Sequence, residues 1–140
     1  MARYLLDTNV VSEPLRLRPE ENVLQNLRKH RGDCAIASVV WHELWFGCLQ
    51  MSPSVRRNKI ERYLGETVEP SMPILPYDAE AAAWHAEQRA RLRTVGRTPP
   101  FLDGQIAAIA ATQNLILVTF NEADFMHFSD LQLENWLRIL

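Results

Sequence analysis

Asp7, Glu43 and Asp103 stand in surroundings that acidic residues usually avoid. Asp7 directly follows the apolar run Tyr4-Leu5-Leu6. Glu43 lies within Val39-Val40-Trp41-His42-Glu43-Leu44-Trp45-Phe46-Gly47 and, at helical spacing, shares a face with Val39, Val40 and Gly47. Asp103 precedes Ile106-Ala107-Ala108-Ile109-Ala110-Ala111, which as a helix is apolar on every side and therefore belongs in an interior. Carboxylates are rarely buried unless they are paired or bound to metal. Three held close together repel one another and keep protons toward neutral pH. A divalent cation resolves that conflict. Mg²⁺ and Mn²⁺ prefer oxygen ligands, and Mg²⁺ typically joins one or two carboxylates to water and a substrate phosphate. Each acid also has a local role open to it. Asp7 and Asp103 can cap the helices that follow them, and Glu43 can be a half-exposed helix acid. Asp124, in Asn121-Glu122-Ala123-Asp124-Phe125, can serve a turn.

The elements that must position these acids follow from short apolar runs alternating with helical patterns. Tyr4-Leu5-Leu6, Ala35-Ile36-Ala37, Ile74-Leu75 and Ile116-Leu117-Val118 are uncharged runs that suit strands buried on both faces. Helical spacing appears in Val23, Leu24 and Leu27, in Val39, Val40, Leu44 and Cys48, and in Ile60, Tyr63 and Leu64. Ala79 to Leu92 is rich in helix-forming Ala, Glu and Arg, and Phe101 to Gln113 makes a last strong helix. Ser38 and Asp78 are predicted N-caps. Pro53, Pro73 and Pro76 mark boundaries, and Thr94 to Pro100 is a loop by its Gly and paired Pro. Strand–helix alternation predicts an α/β fold with right-handed crossovers. In a parallel sheet Asp7 then lies at the carboxyl edge, as does Glu43 early in the helix after the second strand. Asp103 opens a helix antiparallel to the strand it feeds, so it starts at that edge too. Thr119, Asn121 and Asp124 emerge there after the last of these strands. Ligand sites in open α/β sheets favour this rim.

Totals bound the rest. One domain, residues 1–140, is the expectation for this length. The formal net charge is −2, which excludes a general nucleic-acid coat. Cys34 and Cys48 lack metal-ligand spacing and read as buried free thiols. The longest clean apolar run, Ile106 to Ala111, falls far short of the roughly 20 residues of a membrane helix. No signal segment is visible, so a cytoplasmic protein with no membrane partner is expected. His30, His42, His85 and His127 are scattered, and no Cys–His or Ser–His arrangement stands out. Basic residues cluster at Arg16 and Arg18, at Arg56, Arg57, Lys59 and Arg62, and at Arg89, Arg91, Arg93 and Arg97. The last group, Arg93 and Arg97 above all, is placed to hold a phosphate backbone near Asp103. The alternative is a solvated helix face with pairs such as Glu87–Arg91. Trp41, Trp45 and Phe46 around Glu43 serve either the core or a partner groove.

The segments Leu5-Leu6-Asp7-Thr8-Asn9-Val10-Val11-Ser12-Glu13, Glu43 with Leu44 and Gly47, Asp103-Gly104-Gln105-Ile106-Ala107-Ala108, and Val118-Thr119-Phe120-Asn121 together resemble the PIN domain. The likeness is to the toxin ribonucleases of VapBC-type toxin–antitoxin pairs, in particular the FitB-like branch, and it runs over essentially the whole chain. It implies a three-layer α/β/α sandwich with a central parallel sheet of four or five strands. It further implies an endoribonuclease using Mg²⁺ or Mn²⁺ held by Asp7, Glu43 and Asp103, an antitoxin partner and a homodimer. Thr8, Asn9, Thr119 and Asn121 become polar groups around the acids. Many members place a fourth acid where this chain has Asn121, and Asp124 is the candidate replacement ligand. A PIN-type RNA-processing nuclease and a non-catalytic binding module of the same fold are the competing readings.

Overall fold

A computed structural model describes residues 1–138. Its strands are β1 (Tyr4–Leu6), β2 (Cys34–Ala37), β3 (Ile74–Leu75), β4 (Ile116–Val118) and β5 (Leu133–Glu134). They form a parallel sheet in the order β3-β2-β1-β4-β5. Tyr4 pairs with Cys34 on one side and Ile116 on the other, and Leu6 meets Val118. The apolar runs of the sequence thus supply the four inner and edge strands expected of them. β5 adds a fifth from a segment with no apolar run.

The helices are α1 (Thr8–Ser12), α2 (Glu21–Lys29), α3 (Ser38–Leu49), α4 (Val55–Arg62), α5 (Glu69–Ser71), α6 (Ala79–Thr94) and α7 (Phe101–Thr112). They cover both faces of the sheet, because alternate strand residues enter separate cores. Leu5, Ala35, Ala37 and Leu117 pack with α7 residues Ile106–Ala110 and with Leu92 of α6. Tyr4, Leu6, Ile36 and Val118 pack with Val10, Val11, Val23, Leu64 and Trp136. This is the three-layer α/β/α arrangement. α7 is buried along Ile106–Ala110, as its all-apolar sequence requires. Cys34 and Cys48 are buried free thiols, and burial pushes the Cys34 thiol up to about 12.

The caps divide. Asp78 caps α6, its Oδ1 accepting from the Ala81 N–H at 2.9 Å. Ser38 does not cap α3. Ala37, the last residue of β2, takes the cap position, and Ser38 is already helical because strand passes to helix without an intervening residue. The Glu87–Arg91 pair also gives way. Arg91 donates instead to Gln88 Oε1 at 2.8 Å and to the His127 carbonyl at 2.7 Å, tying α6 to the loop after β4. A π-helical turn, Tyr63–Val68, continues α4 and buries Leu64 and Val68. Among the described residues no helix is long and apolar enough to cross a membrane.

Candidate active site

β1 and β4 are adjacent, so the residues that leave their carboxyl ends meet. Asp7 leaves β1 in extended conformation and caps α1, its Oδ1 accepting from the Thr8 N–H at 2.8 Å. Its Oδ2 accepts from the Thr119 hydroxyl at 2.9 Å. Thr119 is fully buried, and its oxygen accepts from the Asn121 N–H at 3.0 Å. The hydroxyl proton is therefore committed to Asp7, which fixes the carboxylate's rotamer. Capping and site formation are here the same geometry.

Burial pushes the Asp7 carboxyl up, the Thr8 and Thr119 hydrogen bonds pull it down, and the Asp124 charge pushes it up again. Burial pushes Asp103, in the first turn of α7, up to about 6, with Asp124 and Asp7 adding to the rise. Asp7, Asp103 and Asp124 thus lie in one another's fields. Neither Asp7 nor Asp103 is ion-paired among the described residues. A carboxylate pair of this kind stores repulsion that a proton or a cation relieves. No group of three His, Cys, Asp or Glu side chains among the described residues closes into a ready cage. Asp7 and Asp103 are the residues with oxygen atoms to offer a cation, and Asp124 is the nearby addition.

The other sequence candidates divide between the site and its surroundings. Asp124, exposed in a 3-10 turn (Glu122–Asp124), is the acid felt by both partners, whereas Asn121 contributes its backbone N–H. Glu43 is exposed, contrary to the buried setting its neighbours suggested. It stands about 60° around α3 from the buried Val40, at the margin of the apolar stripe. It lines a shallow groove of about 240 Å³ with Thr8, Ser12, Arg16 and Arg56. Asn9 is exposed on α1. Two larger hollows, of about 410 and 500 Å³, lie elsewhere on the surface, and neither is lined by these acids. Asp7 and Asp103 are partly buried, whereas Glu43 and Asp124 are exposed.

Arg93 and Arg97 are exposed at and beyond the end of α6. α6 touches the start of α7 at His85, and Arg93 lies about 12 Å further along the helix from that contact. The arginine at the start of α7 is Arg89, whose guanidinium carbon lies 5.3 Å from the Phe101 ring centre. Arg16, beside Glu43, is held by the buried Glu13, both of whose carboxylate oxygens accept from Nη1, at 3.0 and 3.1 Å.

A buried contact behind Asp103 escaped sequence reasoning. The His85 imidazole lies against Gly104, where any side-chain carbon would overlap it, and Nδ1 is 2.8 Å from the Tyr77 hydroxyl. Burial, helped by the Arg89 charge, holds this imidazole below its usual range, so it is neutral at pH 7. The signal was Gly104 itself, a glycine inside an otherwise strong helix, which marks close approach. Around Glu43, Trp41 and Trp45 meet edge-on at 5.7 Å and pack against the core, while Phe46 is exposed beside His42.

Comparison with known proteins agrees with the fold. The PIN domain model matches residues 4–131. Ribonuclease VapC2 of Haemophilus influenzae is 32% identical over 139 residues, covering 98% of this chain and all of that protein. Toxin FitB of Neisseria gonorrhoeae is 33% identical over 124 residues, 86% of this chain and 89% of the relative. A crystal structure of FitAcB from Neisseria gonorrhoeae superposes with a TM-score of 0.90 at 31% identity, covering 97% of this chain and 99% of that one. By its fold and by sequence along nearly its whole length, the chain belongs to the PIN domain family.

Proposed function

We propose that this chain is a single-domain, metal-dependent endoribonuclease, the toxin of a toxin–antitoxin pair, acting on RNA in the cytoplasm. The observation that carries the reading is the rim itself: Asp7 and Asp103, both with raised carboxyl values and no cation among their described neighbours, with Asp124 beside them. The relatives named ribonuclease VapC2 and toxin FitB, and the FitAcB complex, support the activity and an antitoxin partner. Exposed Phe46 and Leu49 on α3 offer apolar surface for that partner or for a second copy in a homodimer.

The donor set fits a hard divalent cation, Mg²⁺ or Mn²⁺, since Asp7 and Asp103 supply carboxylate oxygens and their ionisation is opposed without one. When bound, such an ion polarises a phosphodiester oxygen and acidifies a coordinated water. The chain's own groups do the rest. Thr119 and the Thr8 N–H, each bonded to one carboxylate oxygen, hold Asp7 in one rotamer, so the carboxylate is placed before substrate arrives. Asp103 loses its proton near pH 6 and is ionised at neutral pH. Glu43, exposed in the adjoining groove, orients the attacking water and accepts its proton. Arg16 and Arg56 border that groove and contact the RNA backbone.

The test is cleavage of total cellular RNA by purified, antitoxin-free protein with Mg²⁺ or Mn²⁺, with EDTA, and with Asp7→Asn. Cutting that needs metal and vanishes in the variant is expected. Equal cutting by Asp7→Asn would place the chemistry elsewhere.

A further inference from the structure

Glu13 is 2% exposed, although its neighbours Ser12 and Arg16 line the groove that Thr8 and Glu43 share. A carboxylate taken out of water is costly unless its oxygens are satisfied. Both of them accept from Arg16 Nη1, at 3.0 and 3.1 Å, and Oε2 also accepts from the Glu20 N–H at 3.2 Å. The other end of Arg16 is held as well. Glu13 and Pro14 open a 3-10 turn (Glu13–Leu15), and the Arg16 N–H closes it on the Glu13 carbonyl at 3.1 Å. Arg16 is thus fixed at its backbone and at Nη1 while its side chain stays 60% exposed. Its Nε and Nη2 have no partner among the described residues. That edge of a guanidinium is a planar pair of donors matched to two oxygens of one phosphate. Arg56 lines the same groove with no such anchor, exposed and without an ion pair among the described residues. The groove adjoins the acids through Thr8, whose N–H is bonded to Asp7 Oδ1, and through Glu43 itself.

We propose that Glu13 is a positioning residue, which holds Arg16 ready to take one phosphate of the RNA chain along its Nε–Nη2 edge in the groove lined by Thr8 and Glu43. The proposal rests on the endoribonuclease reading and adds to it the residue that orients the phosphate contact. A free arginine loses rotamer freedom when it grips a phosphate, and here that loss is met on folding. The Glu13 charge cancels most of the Arg16 charge at a distance. The pair therefore acts by direction at short range and does little to draw RNA in from solution.

The experiment measures affinity for a short, mixed-sequence single-stranded RNA in EDTA and kcat/KM for its cleavage with Mn²⁺, with melting temperatures alongside. Arg16→Lys keeps a cation on the buried Glu13 but loses the planar fork, and should cost about 10-fold or more in either readout. Glu13→Gln keeps an acceptor for the Glu20 N–H and removes a negative charge. Charge alone would then tighten RNA binding, whereas release of Arg16 should weaken it by about 3- to 10-fold, the cost of ordering one long side chain. In an Arg16→Ala background Glu13→Gln should no longer weaken binding or cleavage. A loss of the same size with and without Arg16 would reduce Glu13 to a staple of the fold and overturn the proposal. So would a Glu13→Gln protein that binds RNA more tightly, or an Arg16→Lys protein that binds and cuts like the wild type; in each case cutting by the wild type leaves the nuclease standing. Should Glu13→Gln fail to fold, the Arg16→Lys result decides alone. A wild type that neither binds nor cuts any RNA overturns both readings.

Discussion

Asp103→Asn should make the metal-free protein more stable at pH 7.5 while abolishing cleavage. Asp103 holds its proton up to about 6 in the folded chain, against 3.8 for an ordinary aspartate. The folded state therefore binds this proton more tightly than the unfolded state does. The stability it confers is complete below pH 3.8 and is lost as pH rises through about 6. The full displacement corresponds to about 3 kcal/mol, and solvent screening at a half-exposed carboxyl reduces this to about 1–2 kcal/mol. Asparagine keeps the shape and never ionises. For a chain of this size the gain corresponds to roughly 3–8 °C in melting temperature at pH 7.5 in EDTA. At pH 4 the two proteins should melt together. Millimolar Mn²⁺ should then raise the wild type and leave the variant nearly unmoved. Thermal unfolding followed by circular dichroism over that pH range decides it. A variant that melts at or below the wild type at pH 7.5 would refute the electrostatic account of the rim.

Further perturbations follow the same contacts. Thr119→Val removes the donor to Asp7 Oδ2, so the acid limb of the cleavage pH profile should move to higher pH, with about 1–2 kcal/mol lost in urea unfolding at pH 7. Glu43→Gln should leave stability within about 0.5 kcal/mol, because the side chain is exposed, and should lower kcat by about 100-fold or more. Gly104→Ala should cost about 1–3 kcal/mol by overlap with His85. His85→Ala made with it should recover part of that loss, and a double-mutant cycle on unfolding free energies measures the coupling.

Much of this was legible because the sheet is built from short uncharged runs, and buried parallel strands leave that trace. β5 left none. Leu133–Glu134 is two residues among polar neighbours, and it is a strand because β4 offers an edge to pair with. Asp7 and Asp103 were readable from apolar flanks that the fold does bury. Glu43 had similar flanks, but a helix turns about 100° per residue, and that rotation left it at the solvent margin. Arg93 and Arg97 were read as phosphate contacts because they are near Asp103 in sequence. The loop between α6 and α7 returns along α6, so Phe101 meets Arg89 and His85 instead. Return paths of this kind depend on packing between two helices and leave little local pattern. Ser38 failed as a cap for a smaller reason, that β2 runs into α3 without a spare residue.

The bond between Thr119 and Asp7 joins residues 112 positions apart. During synthesis β1, β2 and β3 can emerge and pair while Asp103, Thr119 and Asp124 do not yet exist. A nascent chain of that length carries Asp7 and Glu43 but neither Asp103 nor the hydroxyl that orients Asp7. The acidic rim is therefore assembled late, when β4 takes its place beside β1, and shorter products of interrupted translation lack it. A protein that cuts RNA would by this order stay harmless to the message being read until most of its own chain has been made.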